Sequence, residues 1–304
     1  MTSAPAPGND GRHEALRRIE LEVLRRLDGI LQGDYEGLVP GHGSELGETR
    51  VYSPGDDVRR IDWNVTARTM EPHVRDSISD RELDTTLVVD LSGSMSFGTR
   101  RWEKRDLAIA ASAGIGYIAQ RGGNRVGALL LTGGIPVRVP GRAGRRHLQG
   151  LVAKMHDTAR DPVSIDLSAG LRTADRVARR RGLIVVASDF LDDGEWDRPL
   201  AVLAARHDVL CLEIVDPVEL TLPDVGTLAV VDAETGKTRW VDTSSKRVRR
   251  RYATASVERV ASVRARIRGT GADHLRLTTD EDWIRDLVRH VSMRRRGRTT
   301  GRRP

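Results

Sequence analysis

Cysteine is nearly absent from this 304-residue chain. A single thiol, Cys211, excludes an internal disulfide framework and fits a reducing compartment. Its place inside Val209-Leu210-Cys211-Leu212 reads as a buried, inert side chain. Aromatic residues number eleven, so a core has to be assembled from Val, Leu, Ile and Ala. No stretch approaches the ~20 apolar residues that cross a bilayer. The longest uncharged helical run, Leu107 to Gln120, is short and rich in Ala and Gly. The first ten residues lack the charged start and apolar stretch of a signal peptide. The sequence thus reads as a soluble, cytoplasmic protein with no membrane span.

Lysine is scarce as well: four residues against 46 arginines, a bias expected of a GC-rich genome rather than of a binding function. The formal charge of +7 is unevenly placed. Residues 294–304 hold six arginines and no acid, which leaves 44 basic against 43 acidic residues, or +1, on the first 293. The high pI is therefore a property of the tail, and it does not argue for a basic nucleic-acid cleft on the body.

Four segments are expected. Residues 1–33 comprise a disordered leader and a helix in which Leu16, Ile19, Val23, Leu27 and Ile30 fall at helical spacing, ended by Gly33. Residues 34–84 are rich in Gly, Pro and charge, with short strands and turns. Residues 85–293 alternate strands and helices. Residues 294–304 form a disordered basic tail. Within the third segment, strands are expected near Thr86–Val89, Arg125–Leu131, Leu183–Ala187, Val209–Val215 and His274–Leu277. Helices are expected at Trp102–Arg121, Ala143–Asp157, Leu167–Arg180, Glu195–Arg206, Lys246–Arg268 and Glu281–Ser292. Pro136–Val139 reads as an antiparallel edge strand after the Gly133-Gly134 turn, and Thr227–Val231 with Arg239–Val241 as a hairpin turning at Glu234–Lys237. This alternation is that of a mostly parallel, doubly wound α/β sheet covered by helices on both faces.

Several motif matches fail. Gly236-Lys237-Thr238 resembles the end of a P-loop, but the glycine needed five residues earlier is Val231 and the context is a hairpin. Gly114-Ile115-Gly116 lies inside a helix with no strand before it, where small residues serve close packing. HExxH, GxSxG and paired-cysteine spacings do not occur.

The run that carries chemistry is Asp90-Leu91-Ser92-Gly93-Ser94-Met95, directly after a buried strand. It places a carboxylate and two hydroxyls at alternate positions of one tight loop, a set of hard oxygens suited to Mg²⁺, with Mn²⁺ as a substitute. A second carboxylate, Asp189, ends the strand Leu183–Ser188. If the two strands are neighbours, Asp90 and Asp189 face one crevice at the strand carboxyl ends, where open α/β sheets bind ligands.

This constellation resembles the metal-ion-dependent adhesion site of von Willebrand factor A domains, over about residues 85–293. The resemblance implies that Ser92 and Ser94 bind the metal directly, that Asp90 and Asp189 act largely through bound water, and that a partner's carboxylate fills the sixth position. The expected Thr before the helix at Leu167 is replaced by Val163-Ser164-Ile165-Asp166. Ser164 supplies a hydroxyl there if the loop shifts by one residue, and Thr158 is the weaker alternative.

Arg50-Val51-Tyr52-Ser53-Pro54-Gly55-Asp56-Asp57-Val58-Arg59-Arg60-Ile61-Asp62-Trp63 and the residues to Arg68 resemble the signature of the bacterial "domain of unknown function 58" family. Asp216-Pro217-x-Glu219 and Leu222-Pro223 extend that resemblance. Physically, Pro54-Gly55 makes a turn, Asp56 or Asp57 caps a short helix, and Arg50, Arg59, Arg68, Asp57 and Asp62 form an ion-pair clamp anchored by Trp63. The family implies a partner, a MoxR-type AAA+ ATPase, and a non-enzymatic, Mg²⁺-assisted role in chaperone-like assembly or maturation of client proteins. Two alternatives come from other classes. A Mg²⁺-dependent phosphoester hydrolase would use Asp90 and Asp189 but lacks an evident base. A weak nucleic-acid binder would use the arginine tail.

Overall fold

The computed structural model describes residues 49–53, 58, 61–75, 84–99, 102–159, 163–192, 194–231 and 238–300, the last helix mostly as backbone beyond residue 290. The expected helix at 14–31, the turn at 234–237, and Pro54–Asp57, Arg59 and Arg60 lie outside them.

Six strands build the central sheet: β3 (Asp84–Asp90), β4 (Arg125–Leu131), β5 (Val137–Arg142), β6 (Gly182–Ser188), β7 (Asp208–Val215) and β10 (Asp273–Thr278). Their order is β10-β7-β6-β3-β4-β5. All neighbours are parallel except β5, which runs antiparallel to β4 at the edge as its position after Gly133-Gly134 implies. Counted along the chain this is the 3-2-1-4-5-6 order of doubly wound folds, with the reversal of direction between β3 and β6. The near-continuous apolar runs of β3, β4, β6 and β7 follow from burial on both faces. Helices α2 (Lys104–Arg121), α3 (Arg145–Asp157) and α8 (Trp283–Thr300) cover one face, where Leu87, Val89, Ile115, Leu151 and Ile284 share a core. Helices α4 (Leu167–Val177), α5 (Asp197–Arg206) and α7 (Lys246–Gly269) cover the other around Val88, Ile184, Leu171, Leu200 and Ile267. At the start of β6 the approach to β3 is so close that a Cβ on Gly182 would lie 2.0 Å from the Asp84 carbonyl oxygen, which excludes any larger residue there.

A short α6 (Pro217–Leu220) follows β7, and β8 (Thr227–Val231) pairs with β9 (Thr238–Asp242) as the expected hairpin. Cys211 is fully buried, and burial pushes its thiol pKa up, so the inert reading holds.

Two differences from the sequence reading concern the flanks. The N-terminal piece pairs β1 (Thr49–Val51) with β2 (His73–Arg75) around α1 (Trp63–Thr69). The cap of α1 is Asp62, whose Oδ1 accepts from the backbone N–H groups of Asn64 at 3.1 Å and Val65 at 3.3 Å. Trp63 opens that helix 70% exposed, so it is not the buried anchor expected of it. At the other end α8 continues to Thr300, through most of the segment expected to be a disordered tail. Arginine is a good helix former, and no proline interrupts residues 293–300, although Gly297 lies among them.

The edge strand β10 is tied down by charge. Glu213 on β7, 2% exposed, accepts from Arg276 Nε at 2.9 Å and Nη2 at 3.2 Å, and its Oε2 lies 2.7 Å from His274 Nε2. Replacing Glu213 with Ala leaves the Arg276 cation facing a desolvated gap. The expected loss is about 3 kcal/mol in urea unfolding; a loss under about 1 kcal/mol would show that the cluster is decorative.

Candidate functional site

The site lies where β3 and β6 end side by side, at the point where strand order reverses. Asp90 is the last residue of β3 and is buried. Its Oδ1 accepts from the Ser92 N–H at 2.9 Å, which bends the chain into its tight loop, and its Oδ2 accepts from Ser188 Oγ at 2.7 Å, which ties β3 to β6. Ser92 and Ser94 turn their hydroxyls toward each other, 3.1 Å apart. The Gly93 N–H donates to the Val163 carbonyl at 3.3 Å, bringing the loop before α4 against this turn. Ser164, the next residue, is exposed there. Thr158, the alternative, donates its hydroxyl to Lys154 O at 2.7 Å as a helix-end bond and is not part of the site.

Asp189 follows β6. Its Oδ1 accepts from the Leu191 N–H at 3.1 Å and its Oδ2 from Lys104 Nζ at 2.9 Å. The same ammonium donates to Glu219 Oε1 at 2.6 Å. Glu219 uses Oε2 to accept from the Asp216 N–H at 3.0 Å, as half of the capping box of α6. Asp216 accepts from Thr99 Oγ1 at 2.6 Å, the Thr99 N–H at 2.8 Å and Thr279 Oγ1 at 2.7 Å, so the segment after Ser94 folds across the sheet edge onto β7 and β10.

Four carboxylates thus gather at one edge, and their environments separate them. Burial, reinforced by the facing Asp189 carboxylate, pushes Asp90 up to about 6. Burial works against the charge of Asp216 too, but the Thr99 and Thr279 donors outweigh it and hold its pKa below the usual value. Burial also opposes the Lys104 charge, yet Asp189 and Glu219 more than offset it and hold the ammonium above its ordinary value.

The sequence reading placed Asp90, Ser92, Ser94, Ser164 and Asp189 here, and the fold gathers their segments at one edge. It assigned no role to Lys104, Glu219, Asp216, Ser188 or Thr99. No local signal marked them, since Lys154 and Lys246, also lysines, lie exposed on helices.

The donor set fits a small hard cation. Octahedral Mg²⁺ with oxygens at about 2.1 Å sets adjacent ligands about 3 Å apart, the separation of the two serine hydroxyls. Among the described residues no three His, Cys, Asp or Glu side chains form a cage, so hydroxyls and water would dominate any coordination.

A doubly wound sheet with one antiparallel edge strand, carrying Asp-x-Ser-x-Ser on its first central strand, defines a von Willebrand factor A-like domain. The chain belongs to the family described as protein of unknown function DUF58, which it matches over residues 48–262. It is 49% identical over 289 residues, covering 94% of this chain and 91% of the relative, to the uncharacterized protein Rv1480 of Mycobacterium tuberculosis (strain ATCC 25618 / H37Rv). It is 45% identical over 167 residues to the uncharacterized protein MAV169 of Mycobacterium avium, covering 54% of this chain and 98% of that one. Among solved structures, BatB from Bacteroides thetaiotaomicron is similar at 13% identity and a TM-score of 0.45, over 70% of this chain and 98% of BatB. The VWA domain of SpRpn10 is similar at 13% identity and a TM-score of 0.38, over 68% and 93%. No helix of the described residues is long and apolar enough to cross a membrane.

Because Asp90 titrates near 6 when folded against 3.8 as a free side chain, the native state binds the proton more tightly. This group's contribution to stability is therefore full below about pH 4 and is lost as pH rises through about 6. In metal-free buffer the melting temperature of Asp90→Asn, measured against wild type, is expected to gain several degrees between pH 4 and pH 7. A pH-independent difference would mean that the carboxylate is not desolvated.

Proposed function

We propose that the chain is a non-enzymatic protein-docking module whose contact face is the carboxyl edge of the sheet, centred on a Mg²⁺ held by Ser92 and Ser94. Asp90, Asp189 and the Ser164 hydroxyl complete the surroundings of the ion, the two carboxylates acting through water. Mn²⁺ would substitute for Mg²⁺. When bound, the ion supplies a Lewis-acidic position for a carboxylate from the partner. The observation that carries this reading is the pair of hydroxyls 3.1 Å apart at the switch point, with exposed apolar side chains on the neighbouring loops. Phe97, Ile135, Val163 and Leu191, on the loops after β3, β4 and β6 and before α4, all stand exposed at that edge. Exposed apolar side chains beside a polar centre give a partner both surface to bury and a polar group to engage.

We favour binding over catalysis because these carboxylates already serve the fold: Asp90 accepts from Ser92 and Ser188, and Asp189 from Leu191 and Lys104. The partner we propose, on family resemblance, is a MoxR-type AAA+ ATPase acting in chaperone-like assembly or maturation of client proteins.

Titration of a purified MoxR-type ATPase from the same organism tests this. Affinity is expected to fall about tenfold or more when Mg²⁺ is chelated, in Ser94→Ala and in Phe97→Asp. Binding indifferent to all three, or no binding by wild type, would overturn the partner or the docking face.

A further inference from the structure

Lys104 is a buried cation at this edge that neither the adhesion-site pattern nor the docking surface requires. It is 1% exposed and lies in the first turn of α2, where the helix dipole disfavours a cation. Its ammonium is held by Asp189 at 2.9 Å and Glu219 at 2.6 Å. Both acceptors are fixed from behind, since Asp189 Oδ1 accepts from the Leu191 N–H and Glu219 Oε2 from the Asp216 N–H. The geometry is therefore that of a built-in cation with two preset carboxylate ligands, one of which is the distal carboxylate of the proposed metal site.

A divalent ion at Ser92 and Ser94 draws on the charge of Asp90 and Asp189. If Asp189 already faces an ammonium, the second half of that charge is largely compensated before any metal arrives, and the hydroxyls themselves are neutral. Arg105, the neighbouring buried cation, does not fill this role in its described bonds: it donates to the carbonyls of Leu91, Met155 and Thr158.

We propose that Lys104 sets the strength of the metal site, pre-neutralising Asp189 so that the ion is held weakly by the chain alone and firmly only when a partner's carboxylate is added. This rests on the metal-site reading above. It makes the metal a reporter of docking: the ion and the partner bind together because the chain by itself supplies too little negative charge.

The test uses the full-length protein without a partner and Mn²⁺ as the probe, with free Mn²⁺ read by electron paramagnetic resonance. Wild type is compared with Ser94→Ala, Lys104→Met and the double variant Lys104→Met/Glu219→Gln. The double variant removes one of the two carboxylates that loss of Lys104 would strand, which protects folding and leaves Asp189 free. Lys104→Met is expected to bind Mn²⁺ about tenfold more tightly than wild type, the scale on which one adjacent charge acts, and the double variant, with Asp189 free but the Glu219 charge gone, by a smaller factor that still exceeds wild type. Each should gain more thermal stability from Mn²⁺ than wild type does. If Lys104→Met does not fold without metal, the double variant decides. Wild type binding Mn²⁺ through Ser94, with the Lys104 variants equal or weaker, overturns this inference and leaves the metal site standing, since Lys104 would then position Asp189 for the ion. Wild type and Ser94→Ala both failing to bind overturns the metal site and the inference together.

Discussion

A parallel sheet delivers the ends of its strands to one edge, and in this protein those ends carry negative charge. Asp90 ends β3, Asp189 follows β6, and Asp216 and Glu219 follow β7. Leaving such charges buried and unpaired would cost more than the fold's net stability. The arrangement of the whole edge answers that constraint. Asp90 takes a backbone N–H and the Ser188 hydroxyl; Asp216 takes Thr99 and Thr279; Asp189 and Glu219 share one ammonium. In satisfying the carboxylates these bonds also set the course of the loops, which hold buried Ser92 beside half-buried Ser94 and leave Phe97 and Leu191 exposed.

Asp90 and Asp189 differ in how completely they are answered. Asp90 receives only neutral donors in its described bonds and stays protonated to higher pH than an ordinary carboxyl. Asp189 receives a full charge. The edge thus has one carboxylate that a cation would still stabilise and one that has already found its cation. That asymmetry favours weak, water-rich coordination over a closed metal cage.

Much of this was legible in the sequence where the signal was local. The strands from Thr86 and Leu183 are short runs rich in β-branched residues, and a carboxylate placed directly after such a run has to emerge at the carboxyl edge. Asp90, Ser92, Ser94 and Asp189 could be named for that reason. Their partners could not. Lys104 and Asp189 are 85 residues apart, Asp90 and Ser188 98, Lys104 and Glu219 115, and Thr99 and Asp216 117, separations that only strand order can convert into contact. The short helix expected to hold Arg59, Asp62 and Trp63 instead begins at Trp63 with Asp62 as its cap, and Trp63 lies exposed.

On the proposed reading two cations answer this edge: the Lys104 ammonium, built into the chain, and a divalent ion. A crystal structure of the full chain grown with Mn²⁺, with anomalous differences collected at the manganese edge, tests it most directly. The account predicts a peak about 2.1 Å from the hydroxyls of Ser92 and Ser94, with Lys104 still bonded to Asp189. A map showing manganese elsewhere but none between those serines, or Asp189 turned away from Lys104 to bind the ion itself, would contradict it.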